Sequence, residues 1–241
     1  MSADRFADRV VAVTGTTSGI GRGVASTLAE HGAHVFGLDL ESSGIGEHVQ
    51  CDVSDAASVA QAVADVLTRS GGRIDHVVAN AGIRGSDTAA EDLSITEWDT
   101  VLGVNLRGVF LTLQAFARPM LAAGSGSMVA IASMSGNRVV NVPQRTVHYN
   151  TAKAGVTAMV RSLAVEWGPR GVRVNTVSPG YVSTPFLDGD TSLHGQWLPN
   201  TVPGRFASVD EITAGTLYLL SDEAGYCFGT DLLIDGGYSL R

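Results

Sequence analysis

The stretch Ser133–Lys153 carries a tyrosine four residues before a lysine, Tyr149 and Lys153, with two serines upstream, Ser133 and Ser135. On a helix, residues four apart share a face, so the Lys153 ammonium can stand beside the Tyr149 phenol. A phenol with a pKa of about 10 is a poor base at neutral pH. An ammonium about 4 Å away contributes on the order of 4 kcal/mol at an effective dielectric of about 20. A fraction of that would draw the phenol toward the range in which it exchanges protons. Taken alone, such a pair is an ordinary pair on a helix surface. Its meaning depends on what stands beside it.

Upstream, Thr14-Gly15-Thr16-Thr17-Ser18-Gly19-Ile20-Gly21 follows a short apolar run and opens an alanine-containing helix. Glycines there let a backbone turn approach a pyrophosphate, which then lies over free N–H groups at a helix N-terminus. Gly15, Ser18, Gly19, Ile20 and Gly21 are therefore candidate dinucleotide-binding residues. The spacing is G-x-x-x-G-x-G, so the commoner G-x-G-x-x-G motif supports the reading by analogy. Asp39 ends the next apolar run, where a carboxylate can accept hydrogen bonds from both ribose hydroxyls of an adenosine. A 2′-phosphate would meet like charge there, and Thr16, Thr17, Leu40 and Glu41 offer no cation to neutralise it. NAD is thus expected rather than NADP. Asp52 and Val53 are placed to meet the adenine edge, and Asn80-Ala81-Gly82 to lie along the adenosine side.

The elements that must hold these groups are legible as β-branched runs alternating with helical patterns. Strands are predicted at 9–13, 34–39, 48–52, 74–79, 127–132, 172–177 and 231–235, and helices at about 19–31, 55–69, 96–122, 149–168 and 209–220. Ser94-x-x-Glu97 and Ser208-x-x-Glu211 are capping-box patterns that start two of the helices. Such alternation implies βαβ units, hence a parallel sheet covered on both faces. No linker, repeat or low-complexity tract divides the chain, so residues 1–241 are expected to form one domain. The segment at about 185–206 lacks a clear period and carries Phe186 and Trp197; it is expected to be a lid or binding loop.

Composition narrows the function classes. The 241 residues are 44% hydrophobic and only 17% charged, which anticipates apolar surface buried between subunits. A net charge of −8 with no basic run argues against general affinity for nucleic acid or an anionic membrane. Cys51 and Cys227 form neither a metal-ligand spacing nor a disulfide framework, so no metal is expected and a reducing, cytoplasmic setting is. The N-terminal MSADRFADRV has no apolar signal region, and no segment reaches about 18 uninterrupted apolar residues.

Together these motifs resemble the short-chain dehydrogenase/reductase family. TGTTSGIG resembles its cofactor turn, NAG its fourth-strand motif, Tyr149-x-x-x-Lys153 its active-site pair and SPGYVST (178–184) its nicotinamide-side segment. The resemblance runs from RVVAVTG to the C-terminal LLIDGGYSL. It implies an α/β fold: a Rossmann-type, doubly wound parallel sheet of seven strands in the order 3-2-1-4-5-6-7, helices on both faces, and frequently a homotetramer, a dimer being the alternative. It implies that Tyr149 exchanges the proton and that Lys153 also holds the nicotinamide ribose. It further implies that Asn105 supports a water relay behind the lysine, and that Pro179, Gly180, Val182 and Thr184 fix the nicotinamide end. The family's serine closes the fifth strand, three residues before a glycine and often thirteen before the tyrosine. Ser133 lies three before Gly136 but sixteen before Tyr149; the strand end selects Ser133, and Ser135 is left as a substrate contact.

A longer serine–tyrosine loop with Asn-x-Pro-Gln, here Asn141-Val142-Pro143-Gln144, resembles polyol and sugar dehydrogenases of that family. The expected reaction is therefore NAD-dependent interconversion of a secondary alcohol and a ketone on a polyol, sugar alcohol or similar small molecule. Ser135, Asn141, Gln144, His148, Tyr181 and the residues beside Gly85 are candidate substrate contacts. Three alternatives carry discriminators. A 3-oxoacyl reductase would want NADPH and a basic docking patch. A dihydrodiol or other cyclic-alcohol dehydrogenase would want a more apolar pocket. A non-catalytic NAD-binding redox sensor would bind cofactor without turnover.

Overall fold

In the computed structural model, which describes residues 5–188 and 193–241, seven strands form one parallel sheet: β1 (Val10–Thr14), β2 (His34–Asp39), β3 (Glu47–Gln50), β4 (His76–Ala79), β5 (Gly126–Ile131), β6 (Val172–Pro179) and β7 (Asp231–Ile234). Their order is β3-β2-β1-β4-β5-β6-β7, as the resemblance implied, and every pairing is parallel. Every residue of β1 and β4 is buried, which is why these strands read as unbroken apolar runs rather than alternating ones.

Helices α1 (Gly19–Glu30), α2 (Ala56–Arg69), α3 (Ile95–Leu102), α4 (Val109–Ala123) and α5 (Val147–Trp167) connect the strands. Short helices α6 (Pro185–Asp188) and α7 (His194–Trp197) precede α8 (Val209–Leu220). One core lies between the sheet and α2, α4 and α5, with Val59, Val63, Leu113, Phe116, Val156 and Val160. The other packs α1 and α8 on the opposite face through Val24, Leu28, Ile212, Leu217 and Leu220. The strand ends therefore sit on a slab fixed from both sides, and the loops leaving them are free to carry function.

Three local outcomes differ from the pattern reading. The helix expected at 96–122 is interrupted by a π-helical turn, Gly103–Gly108, between α3 and α4. That turn carries Asn105, and such insertions re-aim a side chain out of the regular helical face. The capping box of α8 is complete, with Ser208 and Glu211 each bonding the other's backbone N–H. That of α3 is only half made: Ser94 caps Glu97 N at 3.1 Å, but the Glu97 carboxylate instead accepts Ser86 N at 2.6 Å. Of the loop expected at 185–206, residues 189–192 lie outside the described structure, and the described residues 185–188 and 193–206 form a packed flap. Its Trp197 is fully buried and stacks on Tyr181 with ring centroids 4.3 Å apart, within a third apolar cluster that includes Met134 and Leu187.

The helical run Ile95–Ala123, π-helical turn included, is apolar and long enough to cross a bilayer by length and composition, and 44% of its most apolar window is buried inside the molecule. It packs on α2, α5, β4 and β5, as a core helix does.

Candidate active site

The carboxyl ends of β1, β4, β5 and β6 open into one cavity of ≈ 380 Å³, the size of a small-molecule site. Its floor is the turn after β1. Gly15 adopts φ 72°, and a Cβ there would stand 2.8 Å from both Ala81 Cα and Asn80 Nδ2. Gly19 adopts φ 55°, opposite Thr184 across the opening. The chain therefore keeps a backbone-lined cradle at an α-helix N-terminus, of the kind a pyrophosphate fills. Gly21 does not reach the cavity wall. It lies one layer behind, where a Cβ would strike Gly15 O and Asn80 Nδ2, so its role is close packing of α1 on the turn.

Thr14, which the motif reading passed over, ties this floor together. Its Oγ1 accepts Asn80 N at 2.9 Å and Ala81 N at 3.1 Å, while Asn80 Nδ2 donates to Thr14 O and Gly15 O, each at 3.0 Å. The hydroxyl immediately before the first glycine was the available signal. Asn80, Ala81 and Gly82 line the cavity as expected.

Asp39 stands at one end of the cavity. Its Oδ2 accepts Thr17 N at 2.9 Å and Thr17 Oγ1 at 3.0 Å, and its Oδ1 accepts Leu40 N at 2.8 Å. Asp52 and Val53 line the same end, with the Asp52 Oδ1 oriented by Ser54 N at 2.9 Å and Ser54 Oγ at 2.7 Å. The cations among the described lining residues are Arg84 and Lys153, on the other side of the glycine turn. Arg22 of α1 is tied to Ser43 O at 2.9 Å.

At the opposite end, α5 presents Tyr149 in its first turn and Lys153 one turn on. Lys153 is 3% exposed, donates from Nζ to Ile131 O at 2.8 Å, and stands 5.8 Å from the Tyr149 ring centroid. Burial pushes the Lys153 ammonium down to about 8. Burial also pushes the Tyr149 phenol up to about 12, against a smaller downward pull from a hydrogen bond with Ser133. This corrects the expectation that the neighbouring ammonium alone lowers the phenol. Both groups share a dry environment, and burial disfavours the charged form of each.

The two serines are distinguished. Ser133, just beyond β5, lines the cavity beside the Tyr149 phenol, on which it exerts the downward pull. Ser135 donates its backbone N–H to Ser133 Oγ at 3.1 Å. It also lines the cavity, but the bond described for it comes from its main chain. Asn105 is fully buried behind the wall: its Oδ1 accepts Ile83 N at 2.8 Å and its Nδ2 donates to Ile83 O at 2.7 Å. It thus clamps the backbone after Asn80-Ala81-Gly82, and its Oδ1 approaches a Cβ position on Gly82 at 3.1 Å, against 3.6 Å for Lys153 Nζ.

Pro179, Gly180, Val182 and Thr184 line the cavity along the end of β6. Gly180 N donates to Ile234 O at 2.9 Å, and Thr184 Oγ1 to Val182 O at 3.3 Å, fixing that edge. Ser18 and Ile20 line it with Gly15 and Gly19. Of the candidate substrate contacts, Asn141, Gln144 and Tyr181 reach the wall, and Asn141 Nδ2 donates to Gln144 Oε1 at 3.4 Å. His148 does not. It is fully buried beneath Gly85, with Nε2 3.5 Å from Glu97 Oε1, so it joins α5 to α3 rather than facing the cavity. Phe186 lines the cavity and lies 6.2 Å from the Tyr149 ring, whereas Trp197 seals the flap from behind.

Residues 15–239 match the profile of a family described as enoyl-(acyl carrier protein) reductase. The chain is 42% identical to D-threitol dehydrogenase of Mycolicibacterium smegmatis, over 98% of this chain and 95% of the relative. It is 36% identical to galactitol 2-dehydrogenase (L-tagatose-forming) of Cereibacter sphaeroides, over 95% of this chain and 94% of the relative. The crystal structure of the NADPH-dependent 3-quinuclidinone reductase from Rhodotorula rubra superposes with a TM-score of 0.92 at 36% identity, covering 99% of this chain and 95% of that one.

Proposed function

The chain belongs to the short-chain dehydrogenase/reductase family, and from that premise we propose that it is an NAD(H)-dependent oxidoreductase interconverting a secondary alcohol and a ketone on a polyol or sugar alcohol. The observation that carries the reading is the convergence of Tyr149, Ser133 and Lys153 on one wall of a cavity whose floor is a backbone cradle.

The family uses a nicotinamide cofactor, which when bound accepts or delivers a hydride. Ser18, Gly19 and Ile20 would hold its pyrophosphate by backbone N–H groups, with Gly15, whose own N–H goes to Leu38 O at 2.9 Å, leaving room for it, while Asp39 would accept the adenosine ribose hydroxyls. Asp39 with Thr17 and Leu40 around it supports NAD over NADP, because no cation among the described lining residues stands at that end. Tyr149 gives its proton to a carbonyl oxygen in reduction and takes it back in oxidation. Ser133 holds the same oxygen and stabilises its developing charge, its own oxygen oriented by the Ser135 N–H. Lys153 holds the ribose next to the reacting ring and supplies the positive charge beside the phenol.

Asn141 and Gln144 offer amide groups that both donate and accept, which suits a chain of hydroxyls. Similarity to dehydrogenases named for threitol and galactitol supports a polyol over an acyl thioester. The flap at 185–206 acts as the lid over this end, residues 189–192 lying outside the described structure. The residues form one catalytic domain, working in the cytoplasm as a homotetramer. Exposed Val165 on α5, with Phe228 and Tyr226 before β7, supports assembly.

Absorbance at 340 nm with NAD and a panel of four- to six-carbon polyols tests the reading. Turnover of at least one polyol is expected. Binding of NADH without turnover of any polyol, ketose or cyclic alcohol would leave a cofactor-binding protein instead.

A further inference from the structure

Arg84 lines the cavity, yet nothing in the reaction above uses it. Its Nη1 is buried with no hydrogen-bond partner among the described residues. We propose that Arg84 is the anion-binding, specificity-determining residue of the substrate site, and that the substrate is a hydroxylated molecule carrying a carboxylate or phosphate. The proposal rests on the alcohol–ketone reading and names the substrate class within it.

The backbone places Arg84 at the reacting end. A Cβ on Gly82 would stand 3.6 Å from Lys153 Nζ, and the next residue, Ile83, is held at both its N–H and its carbonyl by Asn105. Arg84 therefore leaves a rigid anchor immediately beyond the lysine, and it lines the cavity that Ser133, Asn141 and Gln144 also line. Asn141 Oδ1 is also buried without a hydrogen-bond partner among the described residues. Two orphaned polar atoms on residues lining one cavity mark a surface shaped for a polar ligand.

Among the described residues the guanidinium forms no close ion pair, and Asp87 is the carboxylate that feels its charge. Among the described lining residues the carboxylates are Asp39 and Asp52, both at the adenosine end. Asp87, on the same loop, is held by Arg145 through Nε at 2.9 Å and the backbone N at 3.1 Å. Glu97 accepts Ser86 N and faces His148. A guanidinium in a partly dry cavity is costly unless something pairs it, and its planar fork matches a carboxylate or phosphate in two-point geometry. A neutral polyol would leave that charge uncompensated. An acidic one pairs it, while Asn141 and Gln144 take the hydroxyls.

The test compares kcat/KM of wild type, Arg84→Gln and Arg84→Lys on a neutral polyol, the aldonate of the same chain length and its terminal monophosphate, with NADH binding followed by fluorescence. Wild type should favour the aldonate or the monophosphate over the polyol by about tenfold or more, and the better of the two identifies the anion. Arg84→Gln should lose about ten- to hundredfold on that anion, mainly in KM, with the neutral polyol and NADH affinity within about threefold. Arg84→Lys should restore part of the loss. A wild type that prefers the neutral polyol overturns the proposal, as does equal loss on all three compounds. Weakened NADH binding in Arg84→Gln also overturns it, by giving the residue to the cofactor. Turnover of the neutral polyol alone removes this proposal and leaves the alcohol–ketone reading intact; no turnover of these three or of any polyol, ketose or cyclic alcohol in the wider panel, with NADH bound, removes both.

Discussion

Lys153 Nζ lies 5.8 Å from the centroid of the Tyr149 ring and donates to Ile131 O at 2.8 Å, with 3% of the residue exposed. The two groups share one dry pocket, and in the cofactor-free protein each is held toward its neutral form. At pH 7 the phenol stays neutral, while Lys153, pushed down to about 8, still carries its ammonium at a desolvation cost.

That burial has a measurable consequence for stability. Below about pH 8 the folded protein carries the Lys153 ammonium at full desolvation cost. Between about 8 and the ordinary lysine value of 10.5, the unfolded chain binds more protons than the folded one, so stability rises with pH across that window. Tyr149 acts oppositely and higher: kept neutral up to about 12, it costs stability only as pH rises above 10.0. Lys153→Met should therefore stabilise the cofactor-free protein at pH 7, by on the order of 3 kcal/mol at most. Thermal unfolding should show that advantage shrinking between pH 8 and pH 10. An advantage independent of pH would mean that the ammonium is not the source.

The serines make a second contrast. Ser133 supplies a hydroxyl to the site, whereas Ser135 supplies its backbone N–H to that hydroxyl. Ser133→Ala should lower kcat by about a hundredfold or more, in the range seen when a donor to a developing oxyanion is removed. Ser135→Ala keeps the N–H and should retain kcat within about threefold. Steady-state kinetics with one substrate decides it; comparable losses in both variants would place the Ser135 hydroxyl in the reaction.

The proposed preference for NAD rests on Asp39, held by Thr17 N and Leu40 N. Wild type should favour NAD over NADP by about a hundredfold in kcat/KM, and Asp39→Ser combined with Leu40→Arg should reduce or reverse that ratio. Equal use of both cofactors by wild type would remove Asp39 as the discriminator.

Much of this arrangement was legible in the residues themselves. Unbroken β-branched runs such as Val10–Thr14 announce strands buried on both faces, and their alternation with amphipathic helices implies a parallel sheet. Tyr149 and Lys153 are adjacent because helical periodicity makes them so. What pattern does not carry is depth. Nothing local distinguishes His148, which ends beneath Gly85, from Tyr149, one residue later and at the cavity wall. Gly21 lies one layer behind the position its motif suggests, because close packing of α1 on the turn is a product of tertiary contact, and the π-helical turn that carries Asn105 leaves no mark in the local pattern. The phenol's upward shift was equally hidden, since spacing reports which charges are near and not how much water is excluded.

The most direct measurement is turnover of Tyr149→Phe on a substrate of the wild-type enzyme, alongside NADH binding by fluorescence. The substitution removes one hydroxyl and leaves the ring against Phe186. If Tyr149 transfers the proton, kcat falls by about a hundredfold or more while NADH affinity stays within about threefold. Turnover near the wild-type rate with NADH binding intact would contradict proton transfer by Tyr149.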